Sequence, residues 1–249
     1  MDPVEVSAII FLCIFSGAML GMWLRSALPE HHLNNETKEL VKLGVGLIGT
    51  MAALLLGLLV ASAKSSYDTR SSEVTQMAAN VILLDRALAH YGPASGEVRG
   101  VLKIAITQMI DQVWSNDSAD GFLPGQAAGN VLYDKVQDLA PRSEAEHALQ
   151  AQAESILVNI GQTRLLLFAQ GGTSISTPFL VVVVFWLSTL FVSFGLFAPR
   201  NATALFTLLV AAISVAAALF LILELDYPFT GLIQIPSAPL RGALAALGK

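Results

Sequence analysis

The chain has 249 residues, of which 54% are hydrophobic and 13% charged, with a formal net charge of −5. Soluble domains carry about 25% charged residues, so this composition excludes an ordinary water-soluble globule. The acidic balance excludes the basic face that nucleic acid requires, and it leaves no polybasic patch for anionic headgroups.

A bilayer core about 30 Å thick takes roughly 20 apolar residues of helix. Four stretches reach that length without an internal charge: 7–24, 43–63, 178–198 and 202–223. Each must be a helix, because lipid offers no partner to an open backbone. The start, Met1-Asp2-Pro3-Val4-Glu5, is acidic, unlike the basic start of a cleaved signal peptide. The first stretch, which contains the single cysteine Cys13, is therefore expected to be a retained span, with Trp23 and Arg25 as interfacial anchors. A polar loop with Glu30-His31-His32 leads to the second span, closed by Lys64.

The middle segment, 64–173, reads as a water-soluble helical body. Val74, Met77, Val81, Leu84 and Leu88 alternate spacings of three and four, a heptad-like seam. No breaker separates it from Lys64, so the second span is expected to continue as one helix to Tyr91-Gly92-Pro93. Leu102, Ile106, Met109 and Val113 mark a second helix, 115–125 a polar loop, and Val131, Leu132, Val136 and Leu139 a short third helix. Ser143-x-x-Glu146 fits a capping box opening a last helix with Leu149, Ile156, Ile160 and Leu167, before a break at Gly171-Gly172. The third and fourth spans are joined by only Pro199-Arg200-Asn201, which requires an antiparallel hairpin. In the tail, Leu240, Leu244 and Leu247 stand at helical spacing. This fits an amphipathic helix on the membrane or one packed on the soluble body.

The expected fold class is all-α: a four-span membrane protein with a helical extramembrane bundle between the second and third spans. Its parts are a first hairpin at 1–63, a soluble segment at 64–173, a second hairpin at 174–227 and a tail at 228–249. The expected location is the cell inner (plasma) membrane, multi-pass. Lys64, Arg70, Arg164 and Arg241 flank the spans on one side, and Arg25, Lys38, Lys42 and Arg200 on the other. The two sets balance, so the positive-inside rule assigns no side.

No arrangement of Ser, His and Asp suggests nucleophilic catalysis, and an enzyme is not expected. Gly44-Val45-Gly46-Leu47-Ile48-Gly49 matches a dinucleotide fingerprint, but that motif needs a preceding strand and a later acid; here it opens a membrane span. No metal is expected, because adjacent His31 and His32 do not share a helical face, and no cofactor is expected. Gly49, Ala53, Gly57 and Ala61 recur every four residues. That stripe allows close helix packing, within or between subunits, or a smooth pore wall. Thr50 is the polar candidate within the second span. Glu224 and Asp226 follow the fourth span, where two acids oppose the helix dipole. They call for a partner such as Lys64 or Arg70, with an ion path or plain solvation as alternatives. Asp85-Arg86 suggests a salt bridge within the soluble bundle.

Several segments resemble the bacterial bestrophin-like membrane proteins. They include Val41-Lys42-Leu43-Gly44-Val45-Gly46-Leu47-Ile48, Ala61-Ser62-Ala63-Lys64-Ser65-Ser66-Tyr67-Asp68, Leu83-Leu84-Asp85-Arg86 with Tyr91-Gly92-Pro93, Ala198-Pro199-Arg200-Asn201-Ala202-Thr203 and Glu224-Leu225-Asp226-Tyr227-Pro228-Phe229-Thr230-Gly231. The order of spans and soluble body is also similar to that of true bestrophins. Those are pentameric ion channels whose second span lines the pore and continues into a soluble body. This chain departs from them in having no aromatic residue in the second span and no evident acidic calcium clasp.

The resemblance implies an oligomeric ion channel, more readily for anions. Gly46, Thr50, Ala53, Gly57 and Lys64 are the pore-lining candidates. Arg70, Asp85, Arg86, Glu224 and Asp226 are candidates for a charged mouth or structural ion pairs. The partners implied are the lipid bilayer, further copies of the chain and an ion as ligand. The alternative is a non-conducting membrane scaffold or sensor whose soluble segment binds a partner. A transporter would need polar mid-membrane residues and a broken helix, which the spans lack.

Overall fold

The computed structural model describes residues 2–29, 35–114, 126–169, 177–229 and 231–248. Among these every regular element is helical: α1 (Pro3–Ala27), α2 (Asn35–Tyr91), a 3-10 turn (Pro93–Ser95), α3 (Gly96–Trp114), α4 (Gln126–Gln137), α5 (Glu144–Ala169), α6 (Thr177–Phe197), α7 (Ala202–Leu225) and α8 (Ala238–Ala246). Four of them, α1, α2, α6 and α7, are long and apolar enough to cross a membrane. The Glu30-His31-His32 loop, the polar loop 115–125 and the Gly171-Gly172 break lie outside the described residues.

The chain divides into two compact units. One is Met1–Ser66 with Thr173–Asp226, and the other Tyr67–Gly172 with Tyr227–Lys249. The first thus joins both hairpins, and the second joins the middle segment and the tail. α2 contributes to both as one unbroken helix of 57 residues, as its lack of Pro and its run of helix formers dictate.

In the first unit α1 packs against α6 and α7. Ile10, Ile14 and Ala18 meet Val183, Leu187 and Phe191 of α6 and Leu208, Ala212 and Leu219 of α7, with Ala52, Leu59 and Ala63 of α2 joining the same core. The contact between α1 and α6 is made by backbone. A methyl added at Gly21 would overlap the carbonyl oxygen of Val192, and one at Gly195 would overlap that of Ala18. One at Gly17 would stand 3.1 Å from the carbonyl oxygen of Ser188. The pairings 17 with 188 and 21 with 192 advance together, so α1 and α6 run parallel. Glycine at these positions removes the side chains that would hold the axes apart.

The ends of this pair are tied reciprocally. Arg25, in the last turn of α1, donates to the carbonyl of Ala198 after α6, and Arg200 donates 2.9 Å to Met22 O, a turn before the end of α1. The carbonyl of Ala198, past the end of α6, has no partner within that helix, and the Arg25 guanidinium supplies one. Asn201 then opens α7 as its N-cap, its side chain accepting 2.8 Å from Ala204 N.

The second unit is built on the α2 seam. Val74, Met77, Val81, Leu84 and Leu88 are buried against Val98, Leu102 and Ile106 of α3, Leu132 and Val136 of α4, and Ala153 and Ile156 of α5. Gly92 ends α2 at φ +107°, a region that favours glycine. Ser95, buried behind it, donates to Leu88 O and, at 2.8 Å, to Gly92 O. At the start of α5, Ser143 Oγ accepts 3.2 Å from Glu146 N. The Glu146 carboxylate reaches back to Arg142 N at 2.5 Å, one residue beyond the position of the reciprocal capping box. Gln150 of α5 donates 2.9 Å to Val136 O and 3.2 Å to Leu139 O, covering the end of α4.

The tail belongs to this second unit. Leu240, Ala243 and Leu247 are buried in the same core as the seam. Trp114 Nε1 donates 2.7 Å to Ile235 O and its ring meets Phe229 edge-on at 5.6 Å. Of the two expectations for α8, packing on the helical body is the one realised.

Candidate functional site on the second helix

Along its apolar part α2 alternates between two environments. Ala52, Leu59 and Ala63 are buried, with Val45, Ile48, Leu55 and Leu56 packed beside them. Gly46, Thr50, Ala53, Gly57 and Lys64 are all exposed. With 3.6 residues per turn these five fall within roughly 60° of arc, on the side turned away from the buried set. No atom outside the helix stands within 4 Å of a methyl built at Gly46 or Gly57. The candidate residues are thus gathered on one narrow stripe, and at Gly46 and Gly57 no described residue of the unit covers it.

Of the alternatives open for the small-residue stripe Gly49-Ala53-Gly57-Ala61, close packing along its length against another helix of the same chain is not seen among the described residues. Only Gly49 comes near a neighbour, 3.8 Å from Leu190 Cδ2, while Ala53, Gly57 and Ala61 are exposed. The close approach belongs to Gly17, Gly21 and Gly195. Gly44, Gly46 and Gly49 lie inside α2 with no strand among the described residues before them, so they form no phosphate loop.

The stripe is lined by backbone and small side chains. Thr50 Oγ1 donates 2.9 Å to Gly46 O, its own helix one turn back. Its proton is committed, and what it turns outward is oxygen lone pairs. Lys64 ends the stripe with an exposed positive charge. Across the rest of its surface α2 shows Leu43, Leu47, Leu54 and Leu58, each more than 60% exposed. Only 11% of its most apolar window is buried, against 28–33% for the other three candidate spans. By exposure α2 is the least covered of the four.

The charged candidates divide between the units. Glu224 and Asp226, at the end of α7, are buried to 2% and 4% exposure. Arg70, on α2 in the second unit, is also buried, and Arg86 is exposed. Asp85 is buried, and its carboxylate accepts from Arg99 Nε at 2.7 Å and Nη2 at 2.9 Å. Gly248 N donates to it at 3.3 Å. The Arg99 hydrogen bonds hold the Asp85 carboxyl below its ordinary value against the opposing effect of burial, and the same bonds hold the Arg99 guanidinium above its own. The ion pair of Asp85 within the bundle is therefore with Arg99, while Arg86 faces solvent. Sequence reading overlooked Arg99, yet a signal existed: the two residues are 14 apart and centred on Gly92, the turn of an antiparallel helix pair.

A family model for the bestrophin-like domain matches residues 12–240. No curated protein and no solved structure shows a match.

Proposed function

The chain belongs to the bestrophin-like family, and from that premise we propose that it is an oligomeric, anion-conducting channel of the cell inner membrane with α2 lining the path. The single observation that carries this reading is the exposed stripe of Gly46, Thr50, Ala53, Gly57 and Lys64. Lipid tails cover the neighbouring leucines well. They gain little from a furrow of glycine, alanine and a committed threonine ending in a cation. Such a furrow suits a neighbouring helix or a water-filled path, and a ring of identical helices provides both at once.

Anion preference rests on Lys64. Thr50 presents acceptors, which do nothing for an anion, so the positive field at the mouth comes from the lysine ring. The chain itself acts on no covalent bond in this reading, and its partners are lipid, its own copies and the permeating ion. The test is flux from proteoliposomes with chloride, bicarbonate and sodium in turn. Chloride should pass and sodium should not, and Lys64→Glu should lower chloride flux and admit sodium. Unchanged selectivity in a correctly assembled Lys64→Glu protein removes the lysine from the path.

A further inference from the structure

Two arginines close the end of the α1–α6 pair from opposite sides. Arg25 leaves the last turn of α1 and donates to the carbonyl of Ala198, two residues before Arg200. Arg200, between α6 and α7, donates back at 2.9 Å to Met22 O, three residues before Arg25. Each guanidinium thus lands beside the root of the other. The two contacts span 173 and 178 residues of chain, so no basic run in the sequence announces the pair; it exists only in the fold.

Both arginines are exposed. A guanidinium carries five N–H donors in a planar fork, and the carbonyls engage one nitrogen of each. Among the described residues no carboxylate accepts from either. The helix dipoles do not cancel the charge. α1 and α6 end here with about half a negative charge each, and α7 begins here with about half a positive one, so two full positive charges prevail. At the start of α2, Lys38 and Lys42 offset Glu36 and Glu39.

Depth names the partner. The pair stands where three candidate spans end or begin, and Trp23, two residues before Arg25, is 62% exposed. Trp and Arg at the end of a span mark the level of the lipid headgroups, and guanidinium receives phosphate oxygens two at a time. We propose that Arg25 and Arg200 together bind the phosphate of an anionic phospholipid. A zwitterionic headgroup brings an ammonium that the second guanidinium repels, whereas an anionic headgroup brings none. Neither the α2 stripe nor Lys64 takes part, so the proposal does not depend on conduction.

The experiment is native mass spectrometry of the full chain in a non-ionic detergent, titrated with phosphatidylglycerol or phosphatidylcholine of matched acyl chains. One phosphatidylglycerol per chain should be retained in preference to phosphatidylcholine. Arg200→Gln, which keeps a donor for Met22 O, should weaken its binding roughly tenfold, the scale of one charge-assisted hydrogen bond. Ser26→Glu, at an exposed position beside Arg25, leaves both carbonyl contacts in place and should also weaken it. Millimolar inorganic phosphate should not displace the lipid. The proposal is overturned if the two lipids bind equally, or if either variant, with the helicity and particle size of the parent, holds phosphatidylglycerol as tightly as the parent does. Displacement by inorganic phosphate overturns it too, for then the ligand is a free anion. If Arg200→Gln does not assemble, Ser26→Glu decides alone.

Discussion

Asp85 accepts hydrogen bonds from two elements, the guanidinium of Arg99 on α3 and the backbone N–H of Gly248 after α8. One carboxylate therefore holds both the turn after α2 and the tail. Its pKa is lowered in the fold, so its contribution is fully present above the unfolded carboxylate value of about 3.9. It is lost as the pH falls through the lower folded value. Asp85→Asn should cost roughly 1.5–3 kcal/mol at neutral pH, the range for hydrogen bonds to charged groups. It should also flatten the acid limb of a stability–pH curve followed by circular dichroism; an acid limb identical to the parent's contradicts this role. Tyr91 is the opposite case. Its hydroxyl is buried with no hydrogen-bond partner among the described residues, and burial, then the negative charge of Glu146, raises its pKa. Removing an unsatisfied polar atom relieves a desolvation cost of about 1–3 kcal/mol. Tyr91→Phe should therefore leave the unfolding midpoint unchanged or raise it, and a clear fall would reveal a partner for the phenol.

At the scale of helices, two glycines of the same residue type make opposite predictions. Gly21 faces the backbone of α6, and a side chain there forces the helices apart. Gly21→Leu should destabilise the first unit by about 1–3 kcal/mol or more, the usual cost of overpacking, read as lost thermal stability in detergent. Gly57 faces open space, and Gly57→Leu should change that stability by less than about 0.5 kcal/mol. The α2 seam was legible because its apolar residues recur at threes and fours among polar ones. The pairing of α1 with α6 was not, because those helices are apolar on all sides and hydropathy cannot tell a lipid-facing side from a helix-facing one. Gly17-x-x-x-Gly21 stood in the sequence all the same, but nothing local pointed to Gly195 as its counterpart. Arg25 read as an interfacial anchor and Arg200 as a flanking charge. Their carbonyl partners follow only from the parallel placement of α1 and α6. For α8, an apolar stripe suits a membrane surface and a helical core equally well, and only the burial of Leu240 and Ala243 decides between them.

At the scale of the whole molecule, the candidate site was legible as a list of residues on one helical stripe. That the described residues leave this stripe exposed was not, since exposure depends on where α1, α6 and α7 pack. That exposure is what the proposed mechanism rests on: a membrane protein of the bestrophin-like family has its second helix the least buried of four candidate spans. In the account proposed here, copies of the chain surround that furrow and ions pass along it. The most direct measurement is chloride flux from proteoliposomes holding the parent protein or Gly57→Leu, with assembly checked by particle size. Flux from the parent and its loss in the variant are expected, with stability and oligomeric state unchanged. Equal flux through a correctly assembled Gly57→Leu protein would contradict it and take the path away from α2.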